Sequence, residues 1–509
     1  MSAAVDLVTR AMDHHRHGRL AEAEAGYRDT LRLDPHNPDA LHLLGVIVAG
    51  QGDAAQGVDL ILRALARNPN SKEAHLNLAN IHASALRMGE AEHHFREAYR
   101  RDKTNADAAN GLGGSFLHRG RYGEAEPYLR EALALAPTSA PVLLNMGMLM
   151  DATGRFDEAL GFYDRILALY PEHIDAHFHR GLALLVRGQF AEGWPEYAWR
   201  VRSKHTPTFF GRFPFPYWRG EPLAGRKILV WTELGPGDET LAATMIPDLL
   251  AAGATVLLLC SPRMAPLFAR SFPSAHVIAA GETPRDLSIT QGIAFQASLG
   301  ELGAVLRPAF ESFPRQCAPL KADPDRTAIL RARYQAASPG AKLVGISWRS
   351  KNVRIEDAKS IPLEAWTPIL KRPGVTFVSL QYGDVAQDVA HAERDPGVRI
   401  LVDPQIDPLA NLDDCAAQVA AMDLVISVSN TTVHLAGALG RPIWALIPSN
   451  HGRLWYWFLE RPDSPWYPSA HLFRQGQNAD WRPSLAAAAE KLTQPGGAGG
   501  RDGTSASAV

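Results

Sequence analysis

The chain has 509 residues, 46% of them apolar and 21% charged. That is room for roughly three globular domains, and it excludes disorder throughout. Lys and Arg number 52 against 54 Asp and Glu, a formal net charge of -2, which excludes a global basic field for nucleic acid or an anionic membrane. Three widely spaced cysteines (Cys260, Cys317, Cys415), without a CxxC, exclude a disulfide framework and a zinc finger. The charged N-terminus (Asp6, Arg10, Asp13, His14, His15, Arg16) has no signal-peptide core, and Pro247, Asp248 and Gly253 break the best span candidate, Leu241–Cys260. The expectation is a cytoplasmic protein with no stable membrane insertion and no nucleic-acid partner.

The first 200 residues repeat. Pro35, Pro69, Pro137 and Pro171 keep a 34-residue frame with Lys103 at the skipped position; Gly18, Gly52, Gly120, Gly154 and Gly188 keep the same frame with Leu86 in the gap. Small residues recur at Ala11, Gly45, Ala79, Gly113, Gly147 and Gly181, and at Ala23, Gly57, Ala91, Ala125, Ala159 and Gly193. Two antiparallel helices can approach closely there, with Leu44, Leu78, Leu112, Phe95, Leu129 and Tyr163 at core-facing spacing. The pattern resembles the tetratricopeptide repeat, six copies from about Leu7 to Arg202, and assigns residues 1–202 to an all-α solenoid. A lone helix pair cannot bury its apolar face, so copies must stack. The resemblance implies a groove that holds an extended polypeptide, with Asn77, Asn145 and His179 at equivalent groove-facing positions, as in the asparagine ladder of protein O-GlcNAc transferases. Thirteen of the 19 histidines fall in this half. Without HExxH or a Cys/His pair they read as exposed helix faces, and no metal is expected.

Residues 203–225 mix Pro207, Pro214, Pro216 and Pro222 with Phe209, Phe210, Phe213, Phe215, Tyr217 and Trp218, which reads as a docked linker. Short apolar runs follow at Lys227–Thr232, Thr255–Cys260, His276–Ala279, Leu343–Ser347, Val375–Leu380, Val398–Val402, Asp423–Val428 and Pro442–Ile447. Helical patterns separate them, including Thr240–Ala252, Arg326–Ala337, Leu409–Ala421 and Thr431–Leu439. The alternation predicts two facing, doubly wound parallel sheets, residues 226–320 and 340–485, that bind ligands at the strands' carboxyl ends. The tail, 495–509, reads as disordered.

Three loops could carry chemistry. Thr232–Glu239 joins a strand to a helix without a P-loop lysine; Gly235 and Gly237 allow close approach of an acceptor, and Asp238 is either a helix cap or a general base. The segment after Trp348 places four cations, Arg349, Lys351, Arg354 and Lys359, in eleven residues beside a strand end, which suits a departing diphosphate. Ser429, Asn430, Thr431 and Thr432 turn a buried strand into a helix with His434 in its first turn, so a helix N-terminus ringed by hydroxyls and an amide forms an anion site.

Ser429–Pro442, the Gly-Pro-Gly-Asp loop and Lys359-Ser-Ile-Pro together resemble glycosyltransferase family 9, the heptosyltransferase-like group, over roughly Arg226–Trp481. The resemblance implies a GT-B fold and metal-independent transfer from a nucleotide-diphosphate sugar as co-substrate, with no other cofactor. By motif, Asp238 matches the base, Lys359 a donor-phosphate ligand, and His434 the histidine of D-[ST]-x-x-x-H-x-A, where Ser429 replaces the leading Asp. Asp463-Ser-Pro-Trp-Tyr-Pro and Leu472-Phe-Arg-Gln are similar to segments of bacterial proteins that join these repeats to this domain, some of them resembling flagellin glycosyltransferases. A protein acceptor recruited by the repeats is the implied partner. The rivals are a non-catalytic scaffold and a lipopolysaccharide or glycan acceptor.

Overall fold

The structure is a computed structural model that describes residues 3–203, 213–231, 235–281, 290–351, 355–476 and 479–494. Its helices and strands form two compact units, Met1–Pro171 and Glu172–Val509.

The first unit holds five helix pairs. They are α1 (Ala3–Arg16) with α2 (Leu20–Leu33), α3 (Pro38–Gly50) with α4 (Ala54–Arg67), α5 (Lys72–Ser84) with α6 (Met88–Arg101), α7 (Ala106–His118) with α8 (Tyr122–Leu135), and α9 (Ala140–Ala152) with α10 (Phe156–Leu169). The sixth pair, α11 (Ile174–Val186) and α12 (Phe190–Tyr197), belongs to the second unit. All twelve small-residue positions are buried. At the crossings a side chain would collide: a Cβ on Gly45 would stand 2.8 Å from the Gly57 carbonyl oxygen, and one on Gly193 would stand 2.9 Å from Leu185. The glycines of the turns have φ between 70° and 107°, the left-handed region; Leu86, in the gap of that series, adopts φ 58°. Helix α3 touches α5, α5 touches α7 and α7 touches α9, so the first helices of successive pairs form a continuous row.

One position of the second helix shows how the pairs are joined. Glu24 accepts a hydrogen bond from Gln51, Glu92 pairs with Arg119 and Arg121, and Glu126 pairs with Arg155, each partner lying in the next repeat. The same register position in α12 is Trp194, which is buried, donates its indole N–H to the Arg307 carbonyl and meets the rings of Tyr197 and Trp455. The position is Val58 in α4 and Leu160 in α10; in α12 its Trp194 ties the sixth pair to residues of the second unit, while the repeat register runs on to residue 202.

The second unit contains two parallel sheets. The first has order β3-β2-β1-β4, from β1 (Lys227–Trp231), β2 (Thr255–Cys260), β3 (His276–Ala279) and β4 (Ile293–Ala297). Around it lie α13 (Pro236–Ala243), α14 (Ile246–Ala251), α15 (Ala265–Ser271) and α16 (Leu299–Leu306). The helix expected over Thr240–Ala252 is two helices, because Pro247 cannot donate within a continuous one. β4 escaped the sequence reading because Gln296 interrupts its apolar run. That amide is buried: its carbonyl accepts from Trp231 Nε1 at 3.0 Å, and its NH₂ donates to the carbonyls of Phe213 and Phe215. The linker is therefore docked along β4 through residues 213–218, while Pro207, Phe209 and Phe210 lie outside the described residues.

The second sheet has order β10-β9-β8-β5-β6-β7. Its strands are β5 (Lys342–Ser347), β6 (Val375–Ser379), β7 (Ile400–Leu401), β8 (Leu424–Val428), β9 (Ile443–Ile447) and β10 (Ala470–Arg474). Its helices are α17 (Pro324–Ala337), α18 (Glu356–Lys359), α19 (Thr367–Leu370), α20 (Ala386–Ala392), α21 (Leu412–Ala420), α22 (Thr431–Ala438) and α23 (Arg482–Thr493). Counted within the lobe this is the strand order of a doubly wound sheet, with its switch point between β5 and β8, where Ser347 and Ser427 stand in register. β7 is shorter than expected, and β10 went unread because His471 and Arg474 break its apolar run. The lobe also exceeds the expected 340–485: α17 is tied to it by Arg326–Asp414 and Arg331–Asp423, and Leu485, Ala488 and Ala489 of α23 belong to its core. The tail, 495–509, lies outside the described residues.

Candidate active site

A cavity of about 690 Å³ lies in the second unit, lined by residues that follow strands of both sheets and by the sixth helix pair. β1 leads toward Gly235, Pro236, Gly237 and Asp238; β5 leads to Ser350, Lys351 and Lys359; β8 leads to Ser429, Asn430, Thr431, Thr432 and His434. Thr232–Leu234 and Asn352–Arg354 are outside the described residues.

Asp238 is the third residue of α13, and its Oδ2 accepts the Gly235 N–H at 3.4 Å, so it closes the helix start from inside rather than standing before it. Half-buried at the cavity edge, its carboxyl is pushed above the usual carboxylate range by burial, against the pull of the Gly235 N–H and of the charges on Arg200 and Lys359. Lys359 is 5% exposed and lines the cavity. Among the described residues no hydrogen bond or ion pair holds its ammonium, and burial lowers its pKa to about 8 against the opposing charge of Asp238. A buried cation without a countercharge carries a desolvation cost that an anion could offset.

Two residues read as phosphate ligands have other roles. Arg349 does not line the cavity; its guanidinium pairs with Asp388 at 3.2 Å and donates to the Asp384 carbonyl. Asn430 is the N-cap of α22 and its amide is fully used: Oδ1 accepts from Thr432 N–H and Ser427 Oγ, and Nδ2 donates to Ser347 Oγ and the Arg349 carbonyl. It pins the loop after β8 to the loop after β5 across the switch point. The Thr432 N–H is capped in this way, and Thr431 and Thr432 of the first turn of α22 line the cavity. Ser429 Oγ accepts from the Trp457 indole N–H at 2.8 Å, so the residue in place of the motif's Asp is built into the wall. Lys351 is exposed, and its ammonium lies 5.9 Å from the centre of the Tyr382 ring at the cavity's rim.

His434 is buried, with Nδ1 at 2.8 Å from Tyr467 Oη and Nε2 at 3.2 Å from Tyr456 Oη, while Trp457 stacks on the ring. Burial, aided by the charge of Lys359, lowers its pKa to about 3. The imidazole is thus held neutral between two tyrosine hydroxyls, each within hydrogen-bond distance of one ring nitrogen. A Cβ on Gly237 would stand 3.1 Å from His434 Cδ2, so this glycine lets the Asp238 loop approach α22.

Sequence reasoning missed Tyr456, Tyr467 and Trp457 around His434, and Phe178, Leu182 and Tyr197 in the wall. The expected groove residues are partly buried and in part engaged within the fold. Asn77 Nδ2 lies 2.9 Å from His42 Nε2 and Asn145 Nδ2 donates to Asn110 Oδ1 at 3.0 Å, both joining neighbouring repeats, and His179 packs on the Phe178 ring. Among the described residues, no three or more His, Cys, Asp or Glu side chains are grouped to hold a metal, and no helix is long and apolar enough to cross a membrane.

Tetratricopeptide-repeat family models match residues 8–71, 49–106, 76–140 and 116–185. Residues 8–185 are tetratricopeptide repeats. Protein FlbA of Caulobacter vibrioides is 36% identical over 318 residues, which cover 59% of this chain and 52% of FlbA. The chain thus spans about half the length of that relative, and 318 residues are more than the repeats can supply, so the likeness reaches beyond them. Among solved structures, a tetratricopeptide repeat protein from Parabacteroides merdae matches at TM-score 0.35 and 19% identity, covering 40% of this chain and 81% of its own. TTC0263 from Thermus thermophilus matches at TM-score 0.30 and 22% identity, covering 36% and 100%.

Proposed function

We propose that the chain is a glycosyltransferase of GT-B type that moves a sugar from a nucleotide-diphosphate donor to a hydroxyl of a protein acceptor, flagellin among the candidates, recruited by the repeats. Lys359 carries the reading: a buried, unpaired ammonium at the switch point of a doubly wound sheet, sharing one cavity with a carboxylate of raised pKa. In the reaction Asp238 takes the proton of the acceptor hydroxyl as its oxygen bonds to the sugar's anomeric carbon. The bond from that carbon to the phosphate oxygen breaks, and the nucleoside diphosphate leaves with its charge held by Lys359, Thr431 and Lys351. His434, Tyr456 and Tyr467 keep the first turn of α22 in place, and Gly237 brings Asp238 to it.

Donor binding is followed by calorimetry with nucleotides and nucleotide sugars, and transfer by intact mass of the acceptor. Asp238→Asn is expected to keep donor affinity and to lower transfer about 10²–10⁴-fold. Lys359→Ala is expected to weaken donor binding itself. In the unmutated protein, donor affinity is expected to hold below pH 8 and to fall as pH rises through about 8, where the Lys359 ammonium of the free protein loses its proton. The scaffold reading, which Ser429 favours, requires no donor binding even without mutation.

A further inference from the structure

The cavity lining is of two chemical kinds. Lys359, Lys351, Thr431 and Thr432 are polar or charged; Phe178, Leu182, Tyr197, Leu454, Trp455 and Tyr456 bring rings and aliphatic carbons. Phe178 and Leu182 lie one turn apart on α11 and are partly exposed, whereas Gly181 and Ala183–Val186 of the same helix are buried. Phe178 meets the Tyr197 ring at 5.8 Å, Tyr197 meets Trp455 at 5.5 Å, and Trp455 meets Tyr456 at 5.5 Å, so the wall is continuous. It is also rigid. The Arg200 guanidinium sits 3.9 Å from the centre of the Tyr197 ring and donates to its carbonyl, Tyr456 Oη is held by His434, and His177 stacks on Trp199 at 3.8 Å to fix α11 on the turn that follows α12. Neither Phe178 nor Leu182 offers a hydrogen-bonding side chain, so this part of the wall does not suit a phosphate or the hydroxyl-rich edge of a sugar; it suits an apolar side chain.

We infer that Phe178 and Leu182, backed by Tyr197, are specificity-determining residues that bury an apolar side chain of the acceptor polypeptide next to the hydroxyl presented to Asp238. The inference rests on the transferase reading. Its content beyond that reading is that the last repeat selects the acceptor's local sequence inside the cavity.

The test uses the full chain, a panel of nucleoside diphosphates and their sugars, and nonapeptides with a central Ser or Thr flanked by apolar or by charged residues. In the unmutated protein, apolar-flanked peptides are expected to be preferred. The Phe178→Ala, Leu182→Ala double variant is expected to keep nucleotide affinity within twofold and the same circular dichroism. It should lose about 10–200-fold in kcat/KM for apolar-flanked peptides alone, and Phe178→Leu should restore part of it. A tenfold loss of nucleotide affinity in the double variant would give the wall to the donor and overturn the inference while the transferase reading stands. Unchanged peptide preference in the double variant, or transfer to no peptide, would do the same. No nucleotide binding by the unmutated protein would overturn both.

Discussion

The third and the sixth helix pairs share one repeat pattern and serve different purposes. At one register position Glu92 ties α6 to Arg119 and Arg121 of the following repeat; at the equivalent position Trp194 ties α12 to Arg307 and to Trp455. The small residues at the crossing are the same in kind, Ala79 with Ala91 and Gly181 with Gly193, and all four are buried. The crossing positions therefore decide how two helices pair, and the outward positions of the second helix decide what the pair rests on.

The difference should be largest in a truncation series. Trp194→Ala is expected to destabilise the unit that holds both sheets by about 3–5 kcal/mol, read as lost amide protection in α16. Glu126→Ala, at the same register position, should stay within about 1 kcal/mol, because its ion pairs are partly exposed. Equal effects would erase the distinction between the two kinds of pair.

The third pair is sharpened by acid. His75 Nδ1 lies 3.1 Å from His94 Nδ1, and His82 stacks on His94 at 5.8 Å, with His93, Glu97, Arg101, Arg87 and Glu90 as the surrounding titratable or charged groups. Burial lowers the pKa of all three, that of His94 to about 4. A histidine held neutral in the folded state contributes stability that is present above its unfolded value of about 6.5. That stability is lost as pH falls from there toward about 4, with a slope of at most about 1.4 kcal/mol per pH unit for each histidine. Denaturant titrations across this range should show the loss in the repeats, and His94→Gln should flatten it.

The smallest effect concerns Leu86. Its φ of 58° strains a branched side chain where five sister turns have glycine, so Leu86→Gly should raise the stability of the third pair by about 1 kcal/mol or less, measured by thermal melting. A loss instead would mean that the exposed leucine contributes a contact worth more than the strain.

The repeats were legible because a fixed period places the same residue types at the same crossing, and most strands were legible because parallel strands buried on both faces read as unbroken apolar runs. β4 and β10 were not, since Gln296 is buried only by virtue of partners 65 and more residues away. Within the site, Asp238, Lys359 and Thr431 could be found as polar residues just beyond strands. Arg349 and Asn430 share that property, and only three-dimensional contacts reveal that Asp388 and Ser347 already occupy them. Phe178, Leu182 and Tyr197 carry no local mark at all, because a helix face reads the same whether it borders a cavity or a neighbouring helix.

The division at Pro171 bears on how such a chain can change over generations. Copies inserted or deleted ahead of it leave every residue of the cavity in place, and the array can lengthen or shorten to match a different partner. The sixth copy has lost that freedom. Duplicating it would place a second Trp194 indole away from its Arg307 and Trp455 partners, and cutting the chain at residue 203 would strip Phe178, Leu182 and Tyr197 from the wall and leave Trp455 uncovered. A shortened gene meant to yield the sheet-bearing half should therefore begin near Glu172.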